Sequence, residues 1–165
     1  MPQLASPLRV AQANFELIAG TTGAARRALS WMAELGPISN QTVSMRHALV
    51  SAELALAEDD APGALALLPG EDRPGMNEEL RARALAIRLA AHARHGAPQP
   101  ALLSRARAAS ADPALHAASA LALARALRLA SAGDRARPAA GVFERVAASL
   151  APHAVQPRPF VRWFG

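Results

Sequence analysis

His92 and His95 stand three residues apart, a spacing that puts both imidazoles on one face of a helix and within reach of one metal ion. Zinc takes four ligands, however, and no neighbouring acid or third histidine completes a set; His47, His116 and His153 are isolated. The pair reads as surface or groove histidines, and no metal site is expected. Residues 20–23 (Gly-Thr-Thr-Gly), followed by Arg26 and Arg27, have the glycines of a phosphate-binding loop. They lack its spacing and its Lys-Ser/Thr, and a helical pattern precedes them where a strand is required. They read as a turn between helices. No Gly-x-Ser-x-Gly elbow occurs, and Glu78 and Glu79 sit where a helix N-terminus favours negative charge. The absence of cysteine removes thiol catalysis, disulfides and thiolate-bound zinc, and fits a reducing compartment. The chain is therefore read as having no catalytic residues and no cofactor.

Arginine carries the remaining signal. There is no lysine, a pattern that GC-rich coding also produces. Residues 1–75 hold 5 Arg against 8 acids, net −3, and residues 76–165 hold 13 against 5, net +8. Arg81 and Arg88 lie seven apart on one helical face, Arg105 and Arg107 fall in the next segment, and Arg125 and Arg128 in the one after. Stacked helices would gather them into a basic ridge facing an acidic protein or a phosphate backbone; a solvated outer face is the alternative. No aromatic residues are interleaved to stack bases, so an acidic protein partner is the expectation and nucleic acid the alternative. In the C-terminal tail, residues 153–165, Phe160 and Trp163 read as a fold-back cap on the stack, as an anchor for a partner, or as the start of a further repeat.

The elements that would position these residues are helical. About a quarter of the 165 residues are alanine, and few are aromatic or β-branched, which favours an all-α chain of closely packed helices. Apolar spacing predicts a helix over 6–19 with Leu8, Ala11, Phe15 and Ile18 on one face, then one over 24–35 bearing Ala25, Ala28, Leu29, Met32 and Leu35. Ser39 or Asn40 can cap a third helix over 41–57, followed by a short one over 62–68. Residues 69–75, with four Pro or Gly in seven, are the clearest loop. A long helix over 78–95 turns into a shorter one that stops at Asp112 and Pro113. A further helix is expected over 113–132, and another around Ala139, Phe143 and Leu150. Residues 1–10 show no basic region followed by an apolar core, and no apolar run approaches membrane-spanning length, so a soluble cytoplasmic protein is expected, without a membrane partner.

The turn markers Asp60, Gly96 and Gly133 recur 36 and 37 residues apart, followed by Ala64, Ala101 and Ala139. With Arg105, Ala108 and Pro113 in the central hairpin, and Asp134, Phe143 and Ala147 in the last, the chain resembles the tetratricopeptide repeat family. The large aromatics of that family's first helices are replaced here by alanine or leucine. Its alanine- and arginine-rich composition also resembles the helical-repeat regions of bacterial signalling ATPases and transcriptional activators. The resemblance, carried by residues 41–152, implies a right-handed α-solenoid of about four antiparallel hairpins, a helical repeat domain over residues 1–152 acting as a non-catalytic protein-interaction scaffold. Its inner surface, lined by the first helix of each hairpin, would be the binding face.

Overall fold

Asn40, Asp60 and Asn77 each start a helix in the same way. Their side-chain oxygens accept from the backbone N–H of Val43 (3.1 Å), Gly63 (2.9 Å) and Leu80 (2.9 Å), filling donors that the first turn leaves empty. The computed structural model describes residues 2–34, 37–95, 98–112 and 114–131. Among them are seven helices and no strand: α1 (Pro2–Ala19), α2 (Thr22–Glu34), α3 (Gln41–Ala57), α4 (Ala61–Leu67), α5 (Glu78–His95), α6 (Pro100–Ser110) and α7 (Ala117–Ser131). The chain is all-α over these residues, and none of these helices is long and apolar enough to cross a membrane. The helix expected around residues 139–150 and the tail lie outside the described residues.

The expected inter-helix turn after α1 is confined to Gly20 and Thr21; Thr22 and Gly23, also expected in it, open α2. Gly20 takes a positive φ of 78°, and the Thr21 N–H returns to the Glu16 carbonyl at 2.8 Å. Asp59, at φ 65°, reverses the chain between α3 and α4, and Arg94 of α5 donates both to the Leu56 carbonyl and to the Asp59 carboxylate (3.1 Å). A guanidinium at the end of α3 also meets the negative end of that helix's dipole.

Three apolar clusters form the core, each made from one helix pair and the first helix of the next pair. Val10, Ala13 and Leu17 of α1 join Ala25, Leu29 and Met32 of α2 against Val43, Val50 and Leu54 of α3. The opposite face of α3, with Met45, Leu49, Ala52 and Leu56, packs with Ala61 and Ala64 of α4 against Leu80, Ala84, Ile87 and Ala91 of α5. Ala82, Leu85 and Leu89 of α5 then join Leu102 and Ala106 of α6 against Leu123 and Leu127 of α7. The register repeats. Leu80, Ile87 and Ala91 stand 37 residues after Val43, Val50 and Leu54, and Leu123 and Leu127 stand 36 after Ile87 and Ala91. Alanines at so many of these contacts let the helix axes approach closely.

Two expectations from the sequence need correction. The buried stripe of α1 is Val10, Ala13 and Leu17, while Leu8 and Phe15 are exposed. Both stripes have helical spacing, and only the position of α2 and α3 decides between them. Likewise α7 begins at Ala117, not at 113: Asp112 captures the Ala114 N–H in a side-chain turn (2.9 Å), and the helix starts after His116.

One polar network crosses the apolar layers. Arg83 of α5 donates from Nε and Nη2 to the carboxylate of Glu53 on α3, and from Nη2 to Asn14 Oδ1 of α1 at 2.7 Å. Glu53 is 2% exposed. Burial by itself would lower the Arg83 pKa, but the charge of Glu53 and its hydrogen bonds outweigh that and hold the guanidinium above its ordinary range. Removing one partner leaves a charge buried without compensation, so Arg83→Ala should lower stability by about 3–5 kcal/mol in urea denaturation, while Glu53→Leu combined with Arg83→Met recovers most of it. A second expectation concerns Gly75, at φ +86°, where an added Cβ would lie 2.9 Å from the Cε of fully buried Met45. Gly75→Ala should cost about 1–2 kcal/mol in the same assay.

Candidate functional site

Pro69, Gly70, Pro74 and Gly75 keep residues 69–75 out of helix, and the loop leaves Glu71 poised above the side of α5 that faces α6. Its carboxylate accepts from Arg88 of α5 through Oε1 and from Arg105 of α6 through Oε2. The hydrogen bond from Arg105 is the main influence on Glu71. Burial opposes it, the charges of Arg88 and Arg105 reinforce it, and the balance holds the carboxyl below the ordinary glutamate range. Loop, α5 and α6 are thus tied by one acid between two arginines.

Beside this tie lies an open cleft of about 260 Å³. Arg81 and Arg105 stand at its rim with Glu71, Glu78 and Asp112, over a floor of Ala82, Leu85, Ala108, Ala109 and Leu115. Arg81 is exposed and bonded to Glu78, three residues earlier, at 2.6 Å. Such a pair contributes little to stability and exchanges readily for an outside carboxylate. With two cations and three carboxylates the cleft is no simple anion trap. Its floor is apolar and its rim carries both signs of charge.

The arginines named from the sequence are placed differently from one another. Arg81 and Arg88 lie on the α6 side of α5, Arg81 at the cleft and Arg88 beneath Glu71. Arg125 stands 36 residues after Leu89, on the side of α7 that in α5 faces the following helices. It is partly buried, with a dry Nη1 that has no hydrogen-bond partner among the described residues, and burial lowers its pKa. Arg128 is exposed. Phe160 and Trp163 lie outside the described residues. Where α1, α3 and α5 meet, the functional groups are Asn14, Glu53 and Arg83, engaged with one another. His92 is half-buried, and among the described residues no group of three or more His, Cys, Asp or Glu is arranged to hold a metal.

Glu71 and its hold on Arg88 and Arg105 were not visible in the sequence, because the partners are 17 and 34 residues away and meet only once the helices pack. The one available signal was the pair of acids, Glu71 and Asp72, inside the loop preceding the arginine-rich helices.

Comparison with protein-family models, with curated proteins and with solved structures finds no match to this chain.

Because the folded-state pKa of Glu71 is depressed, its contribution is fully present above the ordinary glutamate pKa and is lost as pH falls through the folded value. The native chain should exceed Glu71→Gln in stability by at most about 1 kcal/mol at neutral pH, and the difference should vanish on acidification below the ordinary glutamate range. Paired denaturation curves across that range measure it.

Proposed function

We propose that the chain is a right-handed α-solenoid of about four antiparallel hairpins, similar in plan to the tetratricopeptide repeat. In this reading it works in the cytoplasm as a non-catalytic protein–protein interaction scaffold of a bacterial regulatory or signalling system. One observation carries the reading. The packing face of Val43, Val50 and Leu54 recurs as Leu80, Ile87 and Ala91 and again as Leu123 and Leu127, each time against the preceding helix pair. A face repeated at a fixed interval and covered only by its neighbour is the physical basis of a helical stack. Stacks of this kind leave long ridges and clefts open, and the cleft of Arg81 and Arg105 is such a surface, with charged side chains above an apolar floor.

In this reading the partner is an acidic protein segment. Its carboxylates take over Arg81 from Glu78 and Arg105 from Glu71, and its apolar side chains cover Leu85 and Leu115. Arg125 and Arg128 would extend the contact along α7. The exchange of one carboxylate for another gives selectivity for acidic segments more than raw affinity, and it weakens as salt rises.

The test is affinity capture from native lysate at physiological salt, with and without nuclease, comparing the native chain with Arg81→Glu/Arg105→Glu. Discrete proteins retained after nuclease and lost with the double reversal, at unchanged circular dichroism, are the expected result. Retention that survives the reversal removes the cleft from the reading, and capture abolished by nuclease replaces the protein partner with nucleic acid.

A further inference from the structure

α1 carries two apolar stripes, and among the described residues only one has a partner. Val10, Ala13 and Leu17 pack against α2 and α3. On the other side Leu8 and Phe15, seven residues apart, are 70% and 67% exposed, with exposed Ala11 and Gln12 between them. The register identifies this second stripe. Val43 and Val50 stand 35 residues after Leu8 and Phe15, and on α3 they are the side chains pressed against the preceding helix pair. Leu80 and Ile87 hold the same place on α5. Leu8 and Phe15 therefore occupy interface positions, filled with interface residue types and left in water.

We propose that a second copy of this chain covers that stripe, two α1 helices packing antiparallel about a two-fold axis that passes between Gln12 and Ala13. Charge selects this occupant. Arg9 and Glu16 are also seven residues apart, and both flank the stripe on the same edge. Antiparallel packing about that axis sets Arg9 of one copy against Glu16 of the second copy, and the symmetry forms the pair twice. Leu8 and Phe15 of each copy then nest in the stripe of the other. Parallel packing would turn the charged edges of the two copies away from each other and form neither pair.

Arg9 is already held at this edge. Its guanidinium lies over the Trp31 ring at 4.2 Å and its Nη1 donates to Gln12 Oε1 at 2.7 Å. Trp31, 44% exposed, extends the apolar surface from α1 onto α2. Along the stripe the charges of Arg9 and Glu16 cancel, so the surface complements its own copy better than a strongly acidic or basic partner. The inference uses none of the residues of the Arg81–Arg105 cleft and stands whether or not that cleft binds a partner.

Sedimentation equilibrium of the full chain over a concentration series tests it. The expected result is a reversible monomer–dimer equilibrium in which Phe15→Asp, at an exposed site that leaves helix content unchanged, raises the dissociation constant by at least about tenfold. Arg9→Glu should weaken the dimer, and Arg9→Glu combined with Glu16→Arg should restore it. A chain that stays monomeric throughout, an assembly that grows beyond two copies, or a dimer indifferent to Phe15→Asp overturns the proposal. Failure of the paired charge exchange to restore association overturns the antiparallel arrangement. Arg81→Glu/Arg105→Glu serves as the control and should leave the mass unchanged.

Discussion

The buried pairing of Arg83 with Glu53 is the constraint on which the rest of the helix arrangement depends. Apolar contacts are non-directional, and any well-fitting hydrocarbon neighbour serves a leucine or an alanine. The carboxylate of Glu53 is not forgiving. Sealed from water, it needs a cation in one place, and a shifted α5 would leave it dry and unpaired at a cost of several kcal/mol. Asn14 extends the demand to α1, since the same guanidinium nitrogen serves both helices. A core rich in small side chains thus takes its register from polar junctions, this one and the tie of Arg94 to the end of α3.

The same logic runs through the charge distribution. The acidic surplus of the first 75 residues and the basic surplus of the remainder suggest, in sequence, a chain with one basic end looking outward. Among the described residues part of that asymmetry is met within the chain. Glu53 holds Arg83, Asp59 holds Arg94, and Glu71 holds both Arg88 and Arg105. Acids of the earlier helices and loop thereby fasten arginines of the later ones, and the field presented to solvent is smaller than a count of arginines implies.

This explains what the sequence could and could not reveal. Helix positions rest on local signals: the start of α3 was legible in Asn40 as a cap and that of α5 in the Pro- and Gly-rich loop before it, where the structure adds Asn77 as the cap. The face a helix buries is a tertiary matter. α1 has two stripes of equal periodicity, and the sequence offered no reason to prefer Val10 and Leu17 over Leu8 and Phe15. The candidate cleft was legible only as a surplus of positive charge at Arg81, Arg88 and Arg105. Its acids at Glu71 and Asp112 come from a loop and a turn, segments whose positions no periodicity encodes.

α4 is seven residues long, two turns, far below the length at which an isolated helix holds together in water. Its cap at Asp60 and the dry methyls of Ala61 and Ala64 have value only with α3 and α5 already in place. Order at the centre of the chain is therefore tertiary: α4 owes its helix to the surfaces of α3 and α5 more than to its own length. The loop that follows it is fastened on its far side, where Glu71 grips Arg88 of α5 and Arg105 of α6, so the short helix is held between α3 and a loop anchored to the next pair.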